Sequence, residues 1–322
     1  MSPTIAELFV SPDHYLHSFE GDDAVFVSMD RAAYRRSIFL DARISPAAAG
    51  SVRVPVAGLL GQVPHPQPMA WIFHVAHCGS TLLARALEEI GNGLVLREPL
   101  ALRQLALEPD PERLQVVQAM LGKRYPGSGR TLVKANVPVN FILPDVIASD
   151  PTAPALFLYL NLRDYCLAIL RSEQHRKWLR HVTGLLTSQL APYASASDGE
   201  RAAALWSAQM IRFAAALDAM PNARSLDGER LLGSPLQIVV KAARALSWPH
   251  EDEAIDALDR NRQFASYSKR PGVPFDNAAR LARRATDEAA LAGEIAAADA
   301  WLARMGTAAP AALSTLKARA IA

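Results

Sequence analysis

The stretch WIFHVAHCGSTLL, residues 71–83, predicts a buried strand, a tight loop and the start of a helix. A helix that follows such a loop presents backbone N–H groups without intrahelical partners, and its dipole adds positive potential, so the arrangement binds anions. Gly79 can adopt the positive φ that the loop needs, and Ser80 and Thr81 supply hydroxyl donors. Taken alone, the stretch fits an ordinary strand-to-helix turn equally well.

The rest of the chain alternates between short apolar runs and helical patterns, which predicts an α/β fold with a three-layer, doubly wound parallel sheet. Strands are predicted at residues 70–75, 94–96, 131–134, 155–162 and 223–226. Helices are predicted at residues 81–90, 99–107, 111–121, 139–147, 164–175, 200–220, 234–246 and 275–304. The C-terminal half is therefore expected to be mostly helical, with Trp178, Trp206 and Trp301 in its core.

Residues 1–66 are predicted to form a small N-terminal extension with strands at residues 23–28 and 37–41. The sequence PHPQP, residues 64–68, is a stiff joint in which neither a helix nor a central strand can continue. The main α/β domain is therefore predicted to span residues 67–322.

The composition limits the classes of function. The 322 residues include 34 Lys and Arg against 32 Asp and Glu, a net charge of +2, which gives no global basic field for a nucleic acid. Cys78 and Cys166 make no disulfide framework, which favours a reduced cytoplasm. There is no run of about 18 apolar residues and no signal-peptide pattern at the start, so no membrane span is predicted.

Three other uses of the loop are disfavoured by its sequence. A Walker A loop needs a lysine after the second glycine, but Ser80 follows Gly79. A thiol phosphatase would need an arginine six residues after Cys78, where the chain has Ala84. His74, His77 and Cys78 lack a second ligand pair at zinc spacing, so no metal site is predicted.

The loop and the motifs that follow it resemble the sulfotransferase family, in particular its bacterial members. The resemblance spans residues 68–276 and depends on the order of six segments: HCGSTLL (77–83), REP (97–99), VKANVP (133–138), RD (163–164), LDGERLLGSP (226–235) and YSKRPG (267–272). It implies a P-loop-like phosphosulfate-binding loop and 3′-phosphoadenosine-5′-phosphosulfate (PAPS) as co-substrate. The sulfonate would pass to a hydroxyl or amine of a small-molecule, carbohydrate, lipid or peptide acceptor.

The resemblance also implies roles for individual residues. Glu98 is expected to act as the general base, while His77 and Lys134 offset charge on the sulfonate. The expected PAPS-binding residues are His77, Cys78, Gly79, Ser80, Thr81, Leu82, Arg163, Ser172, Lys269 and Arg270. Among them, Arg163 and Ser172 would hold the 3′-phosphate, and the basic loop with Lys269 and Arg270 would close over the nucleotide.

Three positions depart from the family pattern. Asn136 stands where small-molecule sulfotransferases have a catalytic histidine, His77 replaces the loop lysine, and Arg171 takes the place of the phosphate-binding serine, with Ser172 one residue further. His74 is therefore the alternative base. Glu98 could instead form a salt bridge with Arg97 or Arg103.

The sequence is also compatible with two other functions: a non-catalytic nucleotide-binding protein of the same fold, and an atypical P-loop phosphotransferase that uses ATP. The acceptor pocket is expected to be shaped by residues 1–66 and 174–190. The arginine-rich run at residues 280–284 is expected to be a solvated helix face.

Overall fold

The computed structural model describes residues 3–194, 196–260, 263–266, 268–269 and 273–321. The N-terminal part contains a three-stranded antiparallel sheet in the order β1-β2-β3. Its strands are β1 (His14–Glu20), β2 (Asp23–Ser28) and β3 (Ser51–Pro55). The strand predicted at residues 23–28 is confirmed, whereas β1 and β3 were not predicted.

The strand predicted at residues 37–41 is wrong. Phe39 and Leu40 are buried, but the segment is irregular and bonds to the last residue of a strand of the main sheet and to the start of the helix that follows it. The Leu40 N–H donates to the carbonyl of Arg97 at 2.7 Å, and the Leu100 N–H donates to the carbonyl of Leu40 at 3.2 Å. An apolar, β-branched run suits this irregular buried segment as well as it suits a strand.

The predicted parallel sheet is confirmed. Its five strands are β4 (Met69–His74), β5 (Val95–Arg97), β6 (Thr131–Lys134), β7 (Ala155–Tyr159) and β8 (Ala223–Asp227). They pair in the order β5-β6-β4-β7-β8, and every pair is parallel. All residues of β4, β5, β6 and β7 are buried, as expected of a sheet covered on both faces.

Helices surround both sheets and make up most of the C-terminal half. The first three are α1 (Ile5–Val10), α2 (Arg31–Arg36) and α3 (Val56–Leu60). Those of the main part are α4 (Ser80–Ile90), α5 (Leu100–Leu107), α6 (Pro111–Leu121), α7 (Leu143–Ala148), α8 (Leu162–Leu170), α9 (Glu173–Leu185), α10 (Asp198–Ala219), α11 (Gly228–Gly233), α12 (Pro235–Ala245), α13 (Asp252–Arg260), α14 (Asn277–Ala290), α15 (Ala292–Met305) and α16 (Ala308–Ala318). Short 3₁₀ helices occur at Val137–Phe141, Thr187–Gln189 and Gln263–Ala265.

Three predicted helices are each divided in the structure. The helix predicted at residues 164–175 becomes α8 and α9, because the Ser172 hydroxyl accepts the His175 N–H and caps a new helix. The helix predicted at residues 275–304 becomes α14 and α15, which meet at Leu291. Likewise, the helix predicted at residues 139–147 is a 3₁₀ turn followed by α7.

The hydrophobic core extends from the central sheet to the helices on both sides. Helix α10 packs against α8, α9, α15 and α16. Trp206 and Trp301 are buried as predicted, and Trp206 donates its indole N–H to the carbonyl of Leu160 at 2.8 Å. Within the described ranges, no helix is long and apolar enough to span a membrane. The domain boundary after residue 66 stays a prediction.

Candidate functional site

Three polar side chains meet at the edge of the sheet where the parallel strands end. His74 is the last residue of β4, Glu98 follows β5, and Lys134 is the last residue of β6. Because these strands are neighbours and run in the same direction, their carboxyl ends share one edge, the usual ligand edge of an open α/β sheet. The loop that follows β4 begins at this edge as well.

The loop between β4 and α4 has the strand–loop–helix geometry that the sequence predicts. Gly79 is the N-cap residue with φ +90°, and it has no side chain to cap the first N–H groups of α4. A Cβ atom there would lie 3.1 Å from Leu231 Cδ2. The buried hydroxyl of Thr81 has no hydrogen-bond partner among the described residues. The start of α4 therefore offers unpaired donors to an anion.

Cys78 belongs to this loop and is completely buried. Burial raises the pKa of its thiol to about 11. The group is therefore a neutral thiol at neutral pH, which is the opposite of what a nucleophilic cysteine needs.

His74, Glu98 and Lys134 form a compact buried cluster. Lys134 is fully buried and donates from Nζ to Glu98 Oε1 at 2.5 Å. His74 Nε2 lies 4.0 Å from the same oxygen. His74 Nδ1 lies 2.9 Å from the carbonyl of Val75, which can only accept, so Nδ1 carries the proton. In the neutral ring, Nε2 then has a free lone pair and no hydrogen-bond partner among the described residues.

The pKa values of this cluster are displaced by burial and by mutual charge. Burial by itself would raise the pKa of Glu98, but the charge and hydrogen bond of Lys134, together with His74, lower it to about 2. Burial and the charge of Lys134 lower the pKa of His74 to about 3. At neutral pH the cluster therefore holds an ionised carboxylate and a neutral imidazole.

The alternative pairing of Glu98 with Arg97 or Arg103 is wrong, because its partner is Lys134. Arg97 is almost fully buried and donates to Glu88 Oε2 at 2.6 Å. Its other donors bind the carbonyls of Tyr34 and Ser37.

Backbone strain is concentrated in this region. Among the residues that the structure describes, three that are not glycine have positive φ: His77 at 61°, Glu98 at 57° and Ser247 at 47°. Such conformations are costly for residues with a Cβ atom and often mark functional sites. Two of the three belong to the loop and the cluster.

Two cavities meet at the loop. The first cavity lies against Gly79, Ser80, Thr81 and Leu82 and is closed on its other sides by α8, α11 and α14. The second cavity has a volume of about 890 Å³ and is lined by His74 and Glu98. His77, Arg171 and Lys269 line both cavities. A group held by the loop therefore faces the cluster across this shared boundary.

The walls of the second cavity come from distant parts of the chain. Phe39 and Arg43 belong to the N-terminal part, and Trp178 and His181 belong to α9. The predicted contributions of residues 1–66 and 174–190 are thus both present. Trp178, predicted to be a core residue, is partly buried: it packs against the core and also lines the cavity.

His77 occupies the centre of the boundary between the cavities. Its ring stacks on His175 with centroids 3.9 Å apart. Burial, followed by the charge of Lys269 and other neighbours, holds the pKa of His77 well below its usual value. The imidazole is therefore neutral, so it can donate one hydrogen bond but supplies no fixed charge.

The two residues expected at the 3′-phosphate lie outside the first cavity. Arg163 is 59% exposed and donates to Glu288 of α14 at 2.6 Å. Ser172 lines the second cavity, where it caps α9. Arg171, the alternative to Ser172, lines both cavities. Lys269 does so too, whereas Arg270 lies outside the described residues.

Sequence reasoning missed two arginines of α14. Arg280 and Arg284 line the first cavity, so the prediction of a solvated helix face at this run is wrong for these two residues. Their spacing of four residues places them on one face of a helix, which is the only signal that the sequence offers. In the described part of the chain, no group of three or more His, Cys, Asp or Glu side chains is arranged to hold a metal ion.

No protein-family model and no curated protein matches this chain. Among solved structures, it is similar to "Sulfotransferase Domain from the Curacin Biosynthetic Pathway", with 13% identity over 59% of this chain and 76% of that chain, and a TM-score of 0.42. It is also similar to a sulfotransferase from Alicyclobacillus acidocaldarius, with 17% identity over 71% of this chain and 95% of that chain, and a TM-score of 0.39. Both are sulfotransferases, the family that the sequence motifs resemble. At these TM-scores the likeness carries no argument about function, which has to come from the site.

Proposed function

We propose that this chain transfers a sulfonate group from PAPS to a hydroxyl or amine of an acceptor bound in the second cavity. The observation that carries the proposal is the boundary at His77, which has the anion-binding loop on one side and the side chains of Glu98 and His74 on the other. Group transfer needs such an arrangement, because donor and acceptor must approach each other along one line.

The residues around the loop fit the phosphosulfate end of the donor. The first N–H groups of α4 and the unpartnered hydroxyl of Thr81 would donate hydrogen bonds to its oxygens. Arg171 and Lys269 line the cavity and form no ion pair within hydrogen-bond distance in the described part of the chain, so their charges can act on an anion held there. PAPS supplies the activated sulfonate, and the chain supplies position and positive potential.

Glu98 is the proposed general base, since the acceptor must lose a proton as it attacks sulfur. Its carboxylate is ionised at neutral pH and lines the second cavity. Lys134 holds the pKa of Glu98 low. Lys134 is fully buried and lines neither cavity, so it would act on the transfer through Glu98 rather than by contact with the sulfonate.

His74 is the alternative base, because its Nε2 lone pair is unengaged among the described residues. In that case the Glu98 oxygen, 4.0 Å from Nε2, would stabilise the imidazolium that forms. The pKa values, about 2 for Glu98 and about 3 for His74, make both groups weak bases while Lys134 is nearby, so basicity does not separate them. Glu98 is the first choice because the sequence motif assigns the base to it and its carboxylate lines the second cavity.

Release of 3′-phosphoadenosine 5′-phosphate (PAP) from PAPS tests the proposal. The assay would offer a phenol, a sugar, a fatty alcohol, a tyrosine peptide and an amine in turn, and would separate PAP chromatographically. PAP formation that depends on one acceptor class supports the transfer. If PAP binds but forms with none of them, the non-catalytic nucleotide-binding alternative, which Asn136 in the histidine position favours, replaces the proposal.

A further inference from the structure

Helix α14 covers the first cavity without contributing to the core. None of its 14 residues is buried. A helix that buries no side chain is held in place mainly by ion pairs and hydrogen bonds rather than by apolar packing. The contacts that hold α14 therefore show what this helix can bind.

Two arginines of α14 are neutralised by carboxylates inside the first cavity. Arg280 makes two parallel hydrogen bonds to Glu229 of α11, at 2.9 and 2.8 Å. Arg284 forms a short ion pair with Asp164 of α8. All four side chains line the cavity. Two parallel donors from one guanidinium form the geometry that also binds a phosphate.

A third arginine is held in the same way at the edge of α14. Glu288 accepts from Arg163 at 2.6 Å, and its other oxygen accepts from Arg284 Nε at 3.0 Å. The carboxylate of Glu288 thus joins an arginine on α8 to an arginine on α14. Arg163 is the residue that the sequence motif assigns to a phosphate, yet here its partner is an acid of the same chain.

The first cavity has a volume of about 190 Å³ in this arrangement. Ligand pockets are usually about 300–1,000 Å³, so a nucleotide enters only if α14 side chains move. The Arg163–Glu288 pair is the easiest to exchange, because Arg163 is 59% exposed and an exposed ion pair contributes at most about fivefold to an equilibrium constant. A hydrogen bond to a charged group in a closed site contributes about 10- to 100-fold.

We propose that Arg280 and Arg284 bind the 3′-phosphate of the donor together with Arg163, and that Glu288, Asp164 and Glu229 hold these arginines until the nucleotide arrives. The inference rests on the proposed function, because it presumes a donor with a phosphate beyond the one at the loop. The loop takes the 5′ end, so the arginines on the opposite wall are left for the other phosphate. Helix α14 is then a phosphate-binding lid.

Calorimetry with PAP and with 5′-AMP, which lacks the 3′-phosphate, tests the arginines. Arg284→Gln should weaken PAP binding at least about tenfold and leave AMP binding within about twofold. Arg280→Gln should act in the same direction. The control is Arg304→Gln, which removes the same charge and a 2.7 Å ion pair with Glu200 outside both cavities. It should change neither affinity by more than about twofold.

Glu288→Gln tests whether a carboxylate of the chain competes with the 3′-phosphate for Arg163. Removing the carboxylate frees Arg163, so PAP should bind about two- to fivefold more tightly. Glu20→Gln, which removes an equal charge from an exposed ion pair with Arg53, should leave the affinity unchanged. Melting temperatures within a few degrees of the parent would show that all variants fold.

The outcomes separate the two proposals. If the parent chain binds no PAP, the proposed function fails. If the parent binds PAP more tightly than AMP but Arg284→Gln and Arg280→Gln keep the full preference, or if Glu288→Gln weakens binding, only the role of α14 is overturned.

Discussion

Glu98 follows the end of β5 in a left-handed conformation, and its carboxylate reaches a lysine from the neighbouring strand. The parallel register of β5 and β6 pairs Arg97 with Lys134, which brings Glu98 next to the lysine 36 residues away in sequence. The motif REP singled out Glu98, but local sequence suggested Arg97 or Arg103 as partners. Partners across a parallel sheet depend on strand order, which no local pattern encodes.

Substitution of Glu98 tests its role as base. Glu98→Gln keeps the shape and an oxygen that can accept from Lys134, but it cannot take a proton. We expect kcat to fall by about 10²- to 10⁴-fold, the usual contribution of a general base, with the Kd for PAP within about threefold. PAP release at saturating PAPS and acceptor, together with calorimetry, measures the two effects separately.

His74→Asn is the matched comparison, because it removes the other candidate base and keeps a hydrogen-bonding side chain. We expect a loss of kcat below about tenfold for this variant. A larger loss of kcat for His74→Asn than for Glu98→Gln would show that His74 takes the proton of the acceptor and that Glu98 is only its neighbour.

The Glu98–Lys134 pair also predicts how stability depends on pH. Because Lys134 lowers the pKa of Glu98 from 4.5 to about 2, the pair stabilises the fold fully above pH 4.5 and loses that contribution as the pH falls towards 2. Urea unfolding between pH 5 and pH 2.5 should show this loss in the parent chain. A double variant, Glu98→Gln with Lys134→Met, should show a smaller loss over the same interval, and an equal loss would contradict the assignment.

At the scale of elements, the loop before α4 is the part that sequence predicted best. Glycine at position 79 is required for two reasons, its φ of +90° and the side chain of Leu231 beside it. The positive φ follows from the strand–loop–helix pattern. The contact with Leu231 does not, since Leu231 belongs to α11, about 150 residues later in the chain.

Gly79→Ala should therefore disturb the loop. A left-handed alanine costs about 1–2 kcal/mol, and the added Cβ would meet Leu231 Cδ2 at 3.1 Å. We expect the Kd for PAP to rise by about tenfold and the chain to be destabilised by a similar free energy. Gly184→Ala is the control, because a Cβ there meets nothing within 4 Å and φ is not positive, so stability should be unchanged or slightly raised.

Two strands, β1 and β3, were not predicted, because each lacks the local sequence pattern that indicates a strand. β1 carries a register shift between Leu16 and Ser18, which breaks the alternation of apolar and polar residues that predicts a strand. β3 is an edge strand with no buried residue, so it lacks the apolar run. The strand β6, by contrast, is buried throughout, and its bounds were predicted correctly.

At the scale of the whole molecule, Arg97 joins the N-terminal part to the central sheet. Its guanidinium binds Glu88 of α4 and the carbonyls of Tyr34 and Ser37, all in a buried environment. Arg97→Met would leave Glu88 without a partner and these carbonyls without a donor. We expect a loss of about 3–5 kcal/mol in the free energy of unfolding.

Urea unfolding of Arg97→Met and of the double variant Arg97→Met with Glu88→Leu measures this contribution. The double variant should recover part of the loss, because it removes the unpaired carboxylate. A single variant as stable as the parent would show that the N-terminal part is held without this cluster.

The second cavity explains why the acceptor could not be derived from sequence. Its walls combine Phe39 and Arg43 from the N-terminal part with Trp178 and His181 from α9, and no local motif links these segments. The first cavity is similar, since Arg280 and Arg284 reach the loop only through the packing of α14. Sequence order identified the elements that bear the site, whereas the partners within it depend on tertiary packing.

Calorimetric titration of the chain with PAP, in parallel with ATP–Mg, tests the central claim most directly. The loop, Arg171 and Lys269 should bind PAP with a Kd in the micromolar range without added metal, and more tightly than ATP–Mg. Absence of heat with PAP at high micromolar concentration, or tighter binding of ATP–Mg, would contradict a PAPS-dependent sulfotransferase and would favour a phosphotransferase instead.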